Sequence, residues 1–89
     1  MFYTYILQSK SSGKFYIGHT ENLEARLERH NKGLVTATKN KGEWVCVYFE
    51  MFDSKLEANR RELQIKKMKS RIYIENLISK KEKQTRPDL

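Results

Sequence analysis

The sequence predicts an α/β (α+β) fold in which helices flank a three-stranded antiparallel sheet, in the order β-β-α-β-α-α. Two short aromatic and β-branched runs joined by turn residues open the chain, one long apolar run lies in its middle, and two segments with helical spacing follow. The 89 residues are the size of one small domain. We expect that domain to occupy residues 1–80, with a flexible C-terminal tail over residues 81–89.

The first two strands are predicted over residues 1–8 (MFYTYILQ) and 15–19, with turn chemistry between them. An antiparallel hairpin follows from this arrangement. Side chains alternate along a strand, so Tyr5 lies on the opposite face from its neighbours Thr4 and Ile6. If the register brings Tyr5 opposite the region of Tyr16, the two phenols lie side by side.

The first helix is predicted to begin after Thr20, whose hydroxyl is a suitable N-cap, and to end at Gly33. Leu23 and Leu27 are four residues apart, so they form the stripe that must face inward. Arg26 and His30 lie along the edge of this inward-facing stripe.

The long apolar run over residues 43–52 (EWVCVYFEMF) predicts a strand in the middle of the sheet, buried on both faces. Ser54 and Glu57 form a capping box at the start of the next helix, which should run to about Lys69. Ser70 is a suitable cap for the last helix.

The charge of the chain favours a polyanionic partner. The net charge is +7, and residues 54–89 carry 11 Lys and Arg against 5 Asp and Glu. Nucleic acid or an anionic membrane surface would be attracted by such a surface. The alternative is a solvated basic helical surface that only keeps the protein in solution.

The cysteine content and the hydropathy limit other classes. Cys46 is the only cysteine, so a disulfide within the chain and a cysteine-rich metal site are excluded. No run of 18 apolar residues occurs, and no basic segment followed by an apolar one opens the chain. We therefore expect a soluble cytoplasmic protein.

The spacing of four side chains predicts a more specific function. Tyr16 follows Tyr5 by 11 residues, Arg26 follows Tyr16 by 10, and His30 follows Arg26 by 4. With the run Phe15-Tyr16-Ile17-Gly18, this pattern resembles the catalytic core of the GIY-YIG nucleases, which are metal-dependent phosphodiesterases. The GIY element reads Tyr3-Thr4-Tyr5 here and keeps only its final Tyr.

The resemblance implies a role for each matching position. Tyr5 and Tyr16 match the tyrosines of the two elements, Arg26 matches the family's Arg, and Glu62 falls where the family places its metal-binding carboxylate. Mg²⁺ (or Mn²⁺) is the implied cofactor. Taken alone, tyrosines near strand ends are usually core or rim residues, and which of the two is the base stays open.

The residues themselves give Arg26 and Glu62 separate support. The positions three and four residues from Arg26 hold no carboxylate, so its guanidinium has no partner on its own helix. A guanidinium forks onto two phosphate oxygens and stabilises transition-state charge. Glu62 lies on a stripe flanked by apolar residues, where a carboxylate is costly unless it is paired or binds metal. The alternative is an i,i+4 pair with Lys66.

Other candidates rest on weaker grounds. His30 is either a satisfied histidine at the edge of the core or, as the resemblance implies, a group that supports the site. Candidate substrate-binding residues are Gly18, His19, Thr38 and Lys39. Basic residues of the C-terminal helices would hold a nucleic acid backbone without reading sequence; they are Arg60, Arg61, Lys66, Lys67, Lys69 and Arg71.

The function predicted from these observations is a metal-dependent endonuclease that hydrolyses phosphodiester bonds in DNA, structure-selective, in repair or processing. The main alternative is a nucleic-acid-binding module of the same fold with little or no catalysis. A membrane-surface or protein-interaction adaptor is disfavoured, because the basic helices lack the strong apolar face that interfacial binding requires. The choice between DNA and RNA and the oligomeric state stay open.

Overall fold

The computed structural model describes residues 1–84 of the chain. Its elements are β1 (Phe2–Ser9), β2 (Phe15–Thr20), α1 (Leu23–Asn31), a 3₁₀ turn (Thr36–Thr38), β3 (Trp44–Phe52), α2 (Lys55–Met68) and α3 (Arg71–Gln84). The predicted fold class and element order are confirmed. The tail predicted over 81–89 begins inside α3, and residues 85–89 lie outside the described part of the chain.

The three strands form one antiparallel sheet in the order β2-β1-β3. The first strand is therefore the central one, and the prediction that the run over 43–52 lies in the middle of the sheet is wrong. β3 contains a β-bulge, because Tyr48 pairs with Ile6 whereas Cys46 pairs with Leu7, which leaves Val47 as the extra residue. Val47 and Tyr48 therefore pack on the same face as Ile6, whereas Cys46 and Phe49 pack on the opposite face, so this edge strand is apolar because both of its faces are covered.

Two hydrophobic clusters lie on opposite faces of the sheet. The cluster on the α1 side contains Tyr5, Leu7 and Trp44, with Leu23 and Leu27 of α1 packed against them. The cluster on the other side contains Ile6, Tyr48, Ile65 and Ile74, which joins β1 and β3 to α2 and α3. Each helix thus covers one face, and β1 supplies neighbouring residues to both clusters.

Asn22, and not Thr20, caps α1. The Asn22 side chain accepts a hydrogen bond from the backbone N–H of Ala25 at 3.0 Å. The Thr20 hydroxyl instead accepts from the Asn22 N–H at 3.2 Å, which turns the chain one step before the helix. The predicted end of the helix is confirmed, because Gly33 follows it with a φ of 75°, a value that favours glycine.

Both predicted serine caps are present. Ser54 Oγ accepts from the Glu57 N–H at 3.2 Å and donates to the Glu57 carboxylate at 3.1 Å. Ser70 Oγ accepts from the Tyr73 N–H at 3.1 Å. The helices that these caps begin are short or polar, and within residues 1–84 none has the length and hydropathy needed to span a bilayer.

Candidate active site

Tyr5 and Tyr16 lie close together on the α1 side of the hairpin. Tyr5 pairs with Gly18 in the register, and the two phenol rings have centroids 6.4 Å apart. Both tyrosines line an open cleft, but Tyr5 is only 1% exposed, whereas Tyr16 is partly exposed. Burial raises the pKa of the Tyr5 phenol, and the nearby Tyr16 adds to this effect. Tyr5 is therefore held in its neutral form.

A chain of hydrogen bonds runs from Tyr5 into the 3₁₀ turn. Tyr5 Oη lies 3.2 Å from His30 Nε2, His30 Nδ1 lies 2.8 Å from Thr38 Oγ1, and the Thr38 hydroxyl donates to the Val35 carbonyl at 3.3 Å. Because the Thr38 proton goes to Val35, we assign the imidazole proton to Nδ1, so that Nε2 accepts from the Tyr5 hydroxyl. His30 thus orients the phenol, and Thr38 lies behind it, buried, without facing the cleft.

The stability of the protein should fall in acid through His30. Burial lowers the pKa of His30 to about 4 from 6.5, and the charges of Arg26 and Arg29 act in the same direction. The unfolded chain therefore takes up the proton first, so this contribution is full above pH 6.5 and is lost as the pH falls towards 4. We expect a loss on the order of 2–3 kcal/mol in the free energy of unfolding between pH 7 and pH 4.

Urea denaturation at a series of pH values measures this loss, with His30→Asn as the control. The carboxylates titrate in both proteins, so the difference between their pH profiles isolates His30. Parallel profiles of the wild type and the variant would contradict the prediction.

Gly18 permits the close approach of Tyr5 to β2. A Cβ at this position would lie 2.5 Å from Tyr5 Oη and 2.7 Å from its Cζ, and the buried ring has no room to withdraw. We expect Gly18→Ala to lower the free energy of unfolding by roughly 1–3 kcal/mol and to disturb the Tyr5–His30 hydrogen bond. Denaturation of the double variant with Tyr5→Phe tests the cause. Removing the nearest atom should recover part of the loss, and a fully additive loss would contradict this account.

Arg26 reaches the cleft from α1. Leu23 and Leu27 pack into the cluster around Tyr5, and this fixes the helix so that Arg26, three residues after Leu23, borders the cleft. Among the side chains that the structure describes, the guanidinium has no hydrogen-bond or ion-pair partner. Its charge nevertheless acts on both Tyr5 and His30, lowering the pKa of each. A half-buried, unpaired guanidinium beside two phenols is suited to an anionic ligand.

Glu62 reaches the same cleft from α2, on the other side of the β2 edge. Thr4 Oγ1 donates to the Ala58 carbonyl at 2.7 Å, which ties α2 to β1 one turn before Glu62. Glu62 is 9% exposed, and both of its carboxylate oxygens are engaged. Oε1 lies 2.5 Å from His19 Nδ1, and Oε2 lies 2.5 Å from Lys66 Nζ. The i,i+4 pair considered as the alternative for Glu62 is thus present, and His19 adds a second contact.

These side chains share one open cleft of about 620 Å³. Its lining residues are Phe2, Tyr5, Tyr16, Gly18, His19, Thr20, Glu21, Arg26, Lys55 and Glu62. Because β2 is an edge strand, the cleft can combine groups from both faces of the sheet around Gly18. Of the residues predicted for the site, His30 and Thr38 support it from behind, and Lys39 is exposed on a loop without lining the cleft.

The donor set of the cleft fits a magnesium ion. Glu62 and Glu21 are the two carboxylates that line it, and the cleft is open enough for water. Mg²⁺ takes one or two carboxylates, several waters and phosphate oxygens, and does not need a cage of protein ligands. Residues 1–84 contain no group of three or more His, Cys, Asp and Glu side chains placed to hold a metal ion, so the fit rests on these two carboxylates alone.

Some functional candidates differ from those expected from the sequence. Lys55 and Phe2 line the cleft but were not predicted. The sequence does hold one signal for Lys55, because a lysine in the first turn of a helix interacts unfavourably with the positive end of the helix dipole. Arg61, expected to hold a nucleic acid backbone, is instead bound by Glu50 through two hydrogen bonds of 2.9 and 3.0 Å. The Glu50 carboxylate raises the pKa of Arg61, and the guanidinium also donates to Gln64 and to the Tyr73 hydroxyl, so its hydrogen bonds are made within the chain.

Comparison with known proteins agrees with the geometry. The family model of the GIY-YIG catalytic domain matches residues 1–77. The chain belongs to the GIY-YIG family. The GIY-YIG domain therefore covers both walls of the cleft, from Tyr5 on β1 to Glu62 on α2.

The relatives of this GIY-YIG domain are small bacterial proteins. A UPF0213 protein of Clostridium perfringens is 45% identical over 69 residues, which are 76% of this chain and 73% of the relative. A UPF0213 protein of Staphylococcus haemolyticus is 48% identical over 65 residues, 72% of this chain and 78% of the relative. The solution NMR structure of a UPF0213 protein of Bacillus halodurans is 36% identical, with a TM-score of 0.55, and the match covers 89% of this chain and 84% of that one.

Proposed function

We propose that this GIY-YIG domain is a Mg²⁺- or Mn²⁺-dependent endonuclease that hydrolyses phosphodiester bonds in DNA and takes part in repair or processing by selecting the structure of its substrate. One observation carries the proposal: an unpaired guanidinium, an accessible phenol and a buried carboxylate line the same cleft. Binding of nucleic acid alone would not require a buried carboxylate close to a guanidinium that binds phosphate. The cytoplasmic location stays a prediction from the sequence.

Arg26 and Glu62 take complementary parts in the proposed reaction. The Arg26 guanidinium binds two oxygens of the scissile phosphate and stabilises the charge that grows on them during attack by water. Glu62 would hold the metal ion, which when bound would supply Lewis-acid stabilisation at the same phosphate. For this, the carboxylate must exchange its contacts with His19 and Lys66 for the ion.

The two phenols have different roles in this proposal. Tyr16 faces the cleft, so we assign its oxygen, in the phenolate form, to accept the proton of the attacking water, while the departing sugar oxygen takes a proton from solvent. Tyr5 donates a hydrogen bond to His30 and is buried, and burial raises its pKa, so it stays a neutral phenol and is not available as the base. Tyr5 fixes the position of Tyr16 and His30, whose rings lie 4.7 Å apart.

Removing each hydroxyl should separate these roles. We expect Tyr16→Phe to lower the rate of cleavage by about 10²-fold or more while leaving the stability of the fold unchanged. Tyr5→Phe leaves His30 Nε2 without a donor, so it should lower the free energy of unfolding by about 1–3 kcal/mol. Single-turnover cleavage and urea denaturation measure the two effects. A larger loss of rate in Tyr5→Phe than in Tyr16→Phe would reverse the assignment.

A second candidate function, a nucleic-acid-binding module with little or no catalysis, is favoured by one specific observation. Both oxygens of Glu62 are held at 2.5 Å by groups of the same chain, so the carboxylate is already satisfied without metal. In this case the basic surface of α2 would bind the phosphate backbone, and Arg26 would add one phosphate contact.

An assay on a panel of nucleic acids decides between the two functions. Labelled single-stranded, duplex, nicked and branched DNAs, with RNA counterparts, are incubated with the protein and with Mg²⁺, Mn²⁺ or chelator. Metal-dependent cleavage of one structural class supports the nuclease and defines its substrate. Binding without cleavage under all three conditions would leave the binding module.

A further inference from the structure

Lys55 is a second cation of the cleft for which the fold itself gives no reason. It lies in the first turn of α2, is exposed, and lines the cleft together with Arg26 and Glu62. No ion pair or hydrogen bond of its ammonium group occurs among the described side chains. Its charge is therefore available to a ligand in the cleft.

The position of Lys55 is unfavourable for the helix. The N-terminus of a helix is the positive end of its dipole, where an acidic side chain is stabilising and a lysine is not. Ser54 and Glu57 already provide the cap and the acidic residue of this turn. Since Lys55 does not stabilise α2 and does not pack into the core, a contact outside the chain explains its place better.

The spacing along α2 relates Lys55 to Glu62. The two residues are seven apart, which is close to two turns, so they lie on the same face of the helix about 10 Å apart along its axis. One strand of duplex DNA rises about 3.4 Å per nucleotide. A phosphate beside Glu62 and another beside Lys55 are therefore separated by roughly two to three nucleotides of one strand.

We infer that Lys55 binds a backbone phosphate roughly two to three nucleotides from the scissile phosphate and thereby positions the strand in the cleft. The inference rests on the proposed nuclease function and adds a substrate-positioning residue to it. Arg26 contacts the scissile phosphate from the α1 wall, and Lys55 contacts the more distant phosphate from the α2 wall. Two fixed phosphates define the direction in which the strand crosses the β2 edge, which one contact cannot do.

The first test measures binding without cleavage. A labelled oligonucleotide is titrated with the wild-type protein, Lys55→Ala and Lys14→Ala in chelator, at a series of salt concentrations, and fluorescence anisotropy gives Kd. Lys14 is a matched control, because it is an exposed lysine of the β1–β2 turn that does not line the cleft. We expect Lys55→Ala to weaken binding by about 3- to 10-fold and to reduce the slope of log Kd against log salt by about one. Lys14→Ala should resemble the wild type.

The second test locates the phosphate. A set of substrates carries one neutral methylphosphonate each, placed at successive positions on either side of the cleavage point. For the wild type and Lys14→Ala, cleavage should weaken at one position roughly two to three nucleotides from the cut. Lys55→Ala should be insensitive to neutralisation at that position alone, because it has already lost the partner.

Each outcome of these tests has a distinct meaning. Equal affinity and equal salt slope for Lys55→Ala and the wild type overturn the inference, even if the protein cleaves DNA. A wild type that binds through Lys55 but cuts nothing overturns the nuclease proposal and leaves the phosphate contact. A wild type that binds no nucleic acid overturns both.

Discussion

Arg26→Ala should lower kcat/KM for phosphodiester cleavage by about 10²- to 10³-fold, which corresponds to about 3–4 kcal/mol of transition-state stabilisation. The guanidinium has no partner among the described side chains, so its removal leaves no buried group unsatisfied. The loss should therefore appear in the rate and not in the stability of the fold. Steady-state cleavage of the preferred substrate, with urea denaturation of the same preparations, measures both.

Two further variants make this expectation specific. Arg29→Ala removes the same charge from the exposed side of α1, away from the cleft, and should stay within about 3-fold of the wild type, since isolated surface charges have small effects. Arg26→Lys keeps the charge but loses the planar fork, so it should recover only a small part of the rate. An equal loss in Arg26→Ala and Arg29→Ala would mean that only net charge matters and would remove Arg26 from the active site.

Glu62→Gln should abolish metal-dependent cleavage, with a loss of about 10³-fold or more, because a neutral amide is a poor ligand for Mg²⁺. The substitution keeps the shape of the side chain. It also removes a negative charge from a basic surface, so binding of DNA in chelator should be as tight as in the wild type, or tighter. Cleavage rates, Kd by anisotropy and metal titration by calorimetry separate these effects.

Glu21→Gln is the matched control for Glu62, because it neutralises the other carboxylate that lines the cleft. Retained cleavage and metal affinity in this variant would leave Glu62 as the protein ligand. A comparable loss would make Glu21 a second ligand. Full cleavage by Glu62→Gln would contradict the assignment of the metal site.

The sequence predicts the hairpin and the helices well because their signals are local. The caps formed by Ser54 and Ser70 depend on residues only three positions away. At the start of α1 two capping residues compete within the same turn. The Asn22 side chain caps the helix by accepting from the Ala25 N–H, while the Thr20 hydroxyl accepts from the Asn22 N–H before the helix begins. The spacing of the residues alone does not decide between the two caps.

The place of β3 in the sheet was not predictable from its hydropathy. A continuous apolar run is compatible with a central strand and also with an edge strand whose two faces are both covered by helices. The sheet order β2-β1-β3, with Tyr48 packed on one face and Trp44 on the other, shows the second. This depends on β1, where Ile6 and Leu7 lie 42 and 39 positions before their partners Tyr48 and Cys46, and it leaves no local signal in the sequence.

The same limit applies to the site. The proximity of Tyr5 and Tyr16 follows from a short hairpin, so the sequence can predict it. The contact of His19 with Glu62 joins residues 43 apart and depends on how α2 crosses the edge of β2. Such a contact is set by tertiary packing, and neither residue carries a local signal for it.

Because β1 is the central strand, the proposed activity depends on the correct register of β1 in the sheet. Tyr5 and Ile6 are consecutive, and they face opposite sides of the sheet, one towards His30 and the other towards Ile65 and Ile74. Sliding β1 by one residue would bury a phenol among aliphatic side chains and remove it from the cleft. Molecules misaligned in this way would keep their helices and much of their compactness but would lose the site. Their far-ultraviolet circular dichroism would therefore resemble that of correctly folded molecules, whereas the cleavage rate per mole of protein would be lower.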